Sequence, residues 1–245
     1  MRDFAPEDRV LVSPRHLAGG GTERLGDVIG PLIHLFGWRY HHEAATGHVT
    51  LDSPDHSVLF DFTPGRSDGT WWRIAHHDPY WEAEFSRQTP VESLAALSQA
   101  LPQFLGDRRH AERIPVTTAT LAQIAALNHW TAAPDQTAFA SPDGRCVLRH
   151  APDAETAWRF RHAVHDGFDT HWQAIFTRQV PEALVAQFFA HLATPEPVER
   201  AFRDIPYLAR DLGQALITPV RGAAVSPRVH HAVAQAARTH PARRR

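Results

Sequence analysis

The chain has no lysine: all 25 of its basic residues are arginine, set against 27 acidic ones. The resulting net charge of −2 excludes a global basic field, so a nucleic-acid partner would need a local arginine patch. The same arginine-, alanine- and histidine-rich profile follows from a nucleotide bias in the coding sequence. A single cysteine, Cys146, excludes an internal disulfide and fits a reducing cytoplasm. Lying in a predicted strand, it reads as a core thiol rather than a nucleophile. No apolar run approaches the roughly 18 residues that span a bilayer, and the polar, acidic start Met1-Arg-Asp-Phe-Ala-Pro-Glu-Asp lacks the pattern of a secretory signal. Also missing are a phosphate-binding glycine loop, a Gly-x-Ser-x-Gly elbow, a His-Glu-x-x-His pair and paired zinc-ligand cysteines. No cofactor is implied.

What is present is a doubled segment. Trp81-Glu-Ala83-Glu-Phe85-Ser86-Arg87-Gln88-Thr-Pro90 returns as Trp172-Gln-Ala174-Ile-Phe176-Thr177-Arg178-Gln179-Val-Pro181, with every counterpart 91 residues on. A repeat of this length means two copies of one folding unit. In the first, Leu25 to Phe36 has helical spacing ending at Gly37, with Gly30-Pro31 shortening or kinking it. Strand-like segments follow at Trp38–Glu43, His48–Ser53, Ser57–Thr63, Thr70–His77 and Trp81–Gln88, joined by short turns that favour an antiparallel meander. A helix closes the unit from Pro90 to about Phe104. The second copy repeats this order, with a helix at Thr120–Asn128, Trp130 answering Trp38, strands at Thr137–Ser141, Arg145–His150, Trp158–His165 and Thr170–Gln179, and a closing helix at Pro181–Ala193.

The expected fold is therefore α+β: two tandem repeats, each a small antiparallel sheet with flanking helices, the closing helices packing about a pseudo-twofold axis. The units run over residues 9–106 and 116–195, and Gly106–Thr118 reads as a linker. Residues 196–245 read as a helical extension (Pro197–Gln214 and Val229–Ala237) with a disordered basic tail at Arg238–Arg245. Gly19-Gly20-Gly21 reads as a flexible connector. Sheet followed by helix in tandem is also the plan of Whirly-type single-strand DNA binders, an analogy of topology alone.

Ser53-Pro54-Asp55-His56 is matched 88 residues on by Ser141-Pro142-Asp143-Gly144. Alternating apolar residues on both sides place the first copy at a hairpin tip, where Ser and Asp bond local backbone. These tandem Ser-Pro-Asp motifs, each about 30 residues ahead of a Trp-x-Ala-x-Phe-[Ser/Thr]-Arg-Gln-x-Pro segment, resemble the actinobacterial SPDY-motif domain family, a domain of unknown function frequently present in two copies. The resemblance spans roughly residues 10 to 195. His56 and Gly144 stand where the motif has tyrosine. The resemblance implies no activity, cofactor or catalytic residue.

Arg87-Gln88 and Arg178-Gln179 precede the closing helices, where unpaired N–H groups and a guanidinium favour an anion; an internal ion pair is the structural alternative. Thr89, Pro90 and Glu92 form a near-complete capping box in the first copy. In Trp72-Arg73 and Trp158-Arg159, with Arg161 nearby, alternation sends tryptophan and arginine to opposite sheet faces. Arginines and aromatics on an exposed sheet suit single-stranded nucleic acid; a core tryptophan beside a solvated arginine is the plainer reading. The 18 histidines invite a metal site, but His162 and His165 face opposite ways on a strand, and His41-His42, His76-His77 and His230-His231 share no ligand spacing.

The function expected is a non-catalytic binding module for a macromolecule, either single-stranded nucleic acid or protein. Nucleic acid would be held through Arg73, Arg87, Gln88, Arg159, Arg161, Arg178 and Gln179. A protein adaptor or homo-oligomeric scaffold is the alternative, and an enzyme using His162, His165 and a carboxylate is the third.

Overall fold

The computed structural model describes residues 4–163, 170–211 and 214–220. In chain order they form β1 (Arg9–Ser13), α1 (Leu25–His34), β2 (Arg39–Glu43), β3 (His48–Asp52), β4 (Val58–Phe62), β5 (Thr70–His77), β6 (Tyr80–Ser86), α2 (Val91–Phe104) and α3 (Leu121–Leu127). Then come β7 (Thr131–Ala132), β8 (Ala138–Ala140), β9 (Cys146–His150), β10 (Thr156–Ala163), β11 (Thr170–Thr177), α4 (Glu182–Ala193), β12 (Val198–Ala201), α5 (Tyr207–Asp211) and β13 (Leu216–Pro219). The fold is α+β, built on a large antiparallel sheet.

That sheet corrects the expectation of two separate ones. Ten strands run in the order β2-β3-β4-β5-β6-β11-β10-β9-β8-β7, joined where β6 pairs with β11. At the seam Ala83 pairs with Phe176, Glu84 with Ile175 and Phe85 with Ala174. Glu84 thus meets its own counterpart, which puts a local twofold axis between Glu84 and Ile175. The Ser/Thr of the doubled segment closes the seam symmetrically: Gln173 N–H donates to Ser86 Oγ at 2.9 Å and Glu82 N–H to Thr177 Oγ1 at 2.8 Å. A backbone donor left unpaired here would cost about 1–3 kcal/mol, so this position favours a short hydroxyl.

Strand alternation sends Trp81, Ala83 and Phe85, and likewise Trp172, Ala174 and Phe176, to one buried face. There they join α1–α4 in one core shared by both copies. Phe85 and Phe176 meet edge to face at 5.5 Å, and Phe188 of α4 packs on both. α2 and α4 pack together, with Gln187 of α4 donating to Ala96 O of α2. The helices cover this face alone, leaving Arg73, Arg149, Arg159 and Arg161 outward.

The extension is not helical as expected. Pro197–Gln214 contains β12, a 3₁₀ turn at Phe202–Asp204 and the short α5. β1, at the start of the expected first unit (residues 9–106), lies instead between β12 and β13 in a separate three-stranded sheet with its own small core. Pairing Val10 with Arg200 across 190 residues overrides local helical spacing, because burial of Val10, Val12 and Val198 decides the outcome. Val229–Ala237, Arg238–Arg245 and His165 lie outside the described residues.

The glycine triad is a packed strap, not a flexible connector. A Cβ on Gly20 would stand 2.3 Å from Arg87 O, and one on Gly21 2.7 Å from the Arg200 guanidinium carbon. The expected cap at α2 also fails to form. Val91 N–H already donates to Gly20 O at 3.0 Å, Thr89 Oγ1 donates across the seam to Gln173 O, and Glu92 turns to Arg200. The capping box appears instead on α3, between Thr120 and Gln123.

Both Ser-Pro-Asp motifs form the expected tight turns. Ser53 Oγ bonds Asp55 and accepts from Val58 N; Ser141 Oγ bonds Asp143 and accepts from Cys146 N. The fourth position sits in the left-handed region, with φ of 61° at His56 and 72° at Gly144. Gly144→Ala is expected to cost about 1 kcal/mol through this backbone strain, since its Cβ would meet no atom within 4 Å. Thermal unfolding should show a Tm about 2–4 °C lower; an unchanged Tm would contradict the strain.

Candidate ligand-binding face

The outward face is ordered by strand register. Thr50, Asp61, Arg73, Glu84, Ile175, Arg159 and Arg149 form one row across β3, β4, β5, β6, β11, β10 and β9. Arg73 and Arg159 occupy matching places on either side of the local axis, but their surroundings have diverged. Arg73 is clamped by Glu82, Nε to Oε1 at 2.5 Å and Nη2 to Oε2 at 2.7 Å, with Tyr80 also on Glu82. The Arg73 hydrogen bonds hold the Glu82 carboxyl at about 2 and raise the Arg73 guanidinium. Burial, reinforced by Glu82, pushes the Glu84 carboxyl up.

In the second copy the residue 91 beyond Glu82 is Gln173, and the residue 88 beyond Asp61 is Arg149. Arg159 therefore has no equivalent carboxylate and faces Arg149 directly across the ladder. Arg145 and Arg161 complete a cavity of about 470 Å³ on this face, lined also by Val147 and Ala163 and, among the described residues, by no acid and no aromatic ring. One guanidinium nitrogen of Arg145, Nη1, is buried without a partner among the described residues. Like charges directly opposed on a sheet are destabilising, so the Arg149–Arg159 pairing costs stability where Arg73 is neutralised by Glu82.

The other expected residues do not join this cluster. Arg87 lies with its guanidinium 4.9 Å from the Trp71 ring centroid. Gln88 Oε1 accepts from Gly20 N–H at 3.0 Å. Arg178 and Gln179 are exposed beside a separate cavity of about 530 Å³. Trp72 and Trp158 face the core, opposite the arginines beside them, as strand alternation implies. Arg145 and Arg149 escape a search for Trp-Arg pairs because they belong to none. The 88-residue offset from Asp61 to Arg149 is the signal in the sequence that points to them.

The buried histidines form a different group. His16 Nε2 bonds Asp143 Oδ2 at 2.8 Å, holding that carboxyl low against the burial that would raise it. Trp172 Nε1 donates to His16 O. His162 is fully buried with neither ring nitrogen partnered among the described residues, and burial lowers it to about 3. Cys146 is buried, which pushes its thiol well up. Among the described residues no three His, Cys, Asp or Glu side chains converge to hold a metal, and no helix is long and apolar enough to cross a membrane.

No curated protein and no solved structure matches the chain. Two segments, residues 52–103 and 140–198, match the family model SPDY: Domain of unknown function (DUF317), so each half of the chain is similar to that domain.

Proposed function

We propose that the chain is a non-catalytic binding module whose second-copy sheet face holds the phosphate backbone of single-stranded nucleic acid. One observation carries this reading: four arginines, Arg145, Arg149, Arg159 and Arg161, line one open cavity in which the described residues include no carboxylate. A guanidinium cluster kept at a cost in stability is accounted for by an anionic ligand, and guanidinium forks suit phosphate. Among the described residues the lining holds no aromatic platform, so the reading is of backbone contact rather than base stacking. It rests on charge and register, not on likeness to another fold.

Fluorescence anisotropy with a labelled oligothymidylate tests it. Affinity should fall steeply with salt, with a log–log slope of about −3 for four phosphate contacts to a single strand. Arg149→Ala with Arg159→Ala should weaken binding by roughly tenfold or more, the loss of at least one charged hydrogen bond, while Tm stays level or rises. Affinity flat in salt, or unaltered in the double variant, overturns the proposal.

A further inference from the structure

The two copies share a corner where the seam strand hands over to its closing helix, and in the first copy that corner is occupied by the chain itself. Gly20 crosses it between two glycines in the left-handed region, Gly19 and Gly21, donating its N–H to Gln88 Oε1 at 3.0 Å and accepting at its C=O from Val91 N–H at 3.0 Å. The approach is close enough that only glycine fits under Arg87 O. Gln88, Arg87 and the first N–H of α2 together read one glycine by its main chain.

The second corner has the same build. Gln179, Arg178 and Glu182 are the residues 91 beyond Gln88, Arg87 and Val91. Backbone angles at the helix starts agree, φ −56° and ψ 120° at Pro90 against −57° and 129° at Pro181. The turns bond alike: Thr89 N to Ser86 O at 3.0 Å and Val180 N to Thr177 O at 3.1 Å, Arg87 N to Gly69 O and Arg178 N to Glu155 O both at 3.0 Å. Yet Pro90 and Val91 are buried while Pro181 and Glu182 are exposed. Among the described residues no segment crosses this corner, and neither the Gln179 side chain nor the Glu182 N–H has a partner. The cavity beside it is bounded by Tyr80, Arg178 and Gln179.

We infer that the second corner is a peptide-docking site for a glycine-rich segment of a partner protein, bound as the chain's own strap is bound at the first. The partner glycine donates to Gln179 Oε1, accepts from Glu182 N–H and passes under Arg178 O. Recognition is by main chain plus exclusion of a Cβ, so it selects glycine at one position and tolerates variety around it.

The probe is a labelled peptide with the strap's own sequence, Leu-Ala-Gly-Gly-Gly-Thr (residues 17–22), titrated into the full chain. Saturable binding is expected. It should weaken at least fivefold in Gln179→Ala, whose Tm should match wild type because the side chain is exposed, and for a peptide with alanine at the central glycine. Binding should persist in Gln88→Ala and in Arg149→Ala, which separates this site from the first corner and from the arginine face. Absence of saturable binding up to millimolar peptide, tolerance of Gln179→Ala, or loss in Gln88→Ala alone overturns the inference.

Discussion

Arg200→Ala should lower stability by about 3–5 kcal/mol, the cost of leaving one member of a buried ion pair without its partner. Arg200 is fully buried on β12 and makes two 2.7 Å hydrogen bonds to the Glu92 carboxylate on α2, while Nη2 also donates to Gly19 O. This contact ties the small three-stranded sheet to the helical layer. Arg24 also reaches Glu92, at 3.1 Å, but it is partly exposed and does not replace the buried fork. At about 2–4 °C per kcal/mol for a chain of this size, Tm should fall by roughly 10 °C or more. Removing both charges, as Arg200→Met with Glu92→Leu, should recover most of the loss. A loss below about 1 kcal/mol in the single variant would contradict this account of the pair.

The pair also sets a pH dependence. Burial alone would raise the Glu92 carboxyl, but the Arg200 hydrogen bonds and charge outweigh it and leave it below its ordinary 4.5. A group lowered in the folded state contributes stability above its unfolded value and loses it as pH falls through the folded one. Wild type should therefore lose this contribution on acidification below about pH 4. Arg200→Ala should have a flatter acid limb in urea unfolding measured across that range, and parallel acid limbs would contradict the assignment.

Gly20→Ala should be nearly as damaging, at about 3 kcal/mol, because a methyl group 2.3 Å from Arg87 O forces backbone apart rather than a flexible side chain. Moving the strap also strains the Gln88 and Val91 hydrogen bonds and the glycines packed on Arg200. The same chemical change at Gly26 provides the contrast. Gly26 lies in α1, its Cβ would meet nothing within 4 Å, and alanine there should gain about 0.5 kcal/mol through helix propensity. Thermal unfolding of the two variants should move Tm in opposite directions. A Gly20→Ala protein as stable as wild type would mean that the strap yields easily, which would also weaken the case for glycine selection at the second corner.

Much of the local structure is legible in the sequence. Val58, Phe60 and Phe62 alternate on β4, and they are buried in the structure as that alternation implies. The closing helices begin one residue after Pro90 and Pro181, which stand at the N-caps with non-helical ψ rather than at the first helical position. The Ser-Pro-Asp turns are legible because their hydrogen bonds run between residues two to five apart. The three-stranded sheet is not legible, since β1 finds its partners some 190 residues away and no local period announces such a pairing. Nor is the role of the glycine triad. Three glycines in a row signal freedom when read alone, and only the neighbouring Arg87 carbonyl and Arg200 guanidinium turn that freedom into a packing requirement.

The candidate face divides in the same way. Alternation alone sends Trp72 to the core and Arg73 outward, and the 91-residue offset by itself makes Arg87 and Arg178 equivalents. Equivalence in sequence does not make them equivalent in chemistry. Arg73 is neutralised because Glu82 stands beside it on the next strand, whereas the second copy has Gln173 in Glu82's place and Arg149 opposite Arg159. Gln88 is occupied by Gly20, while Gln179 is open. The duplication, the strand faces and the turns follow from the linear order of residues, because they depend on neighbours a few positions apart. Which copy sets arginine against arginine and which corner the strap crosses is decided by tertiary structure, because cross-strand partners and the strap come from distant parts of the chain and are set by register and packing.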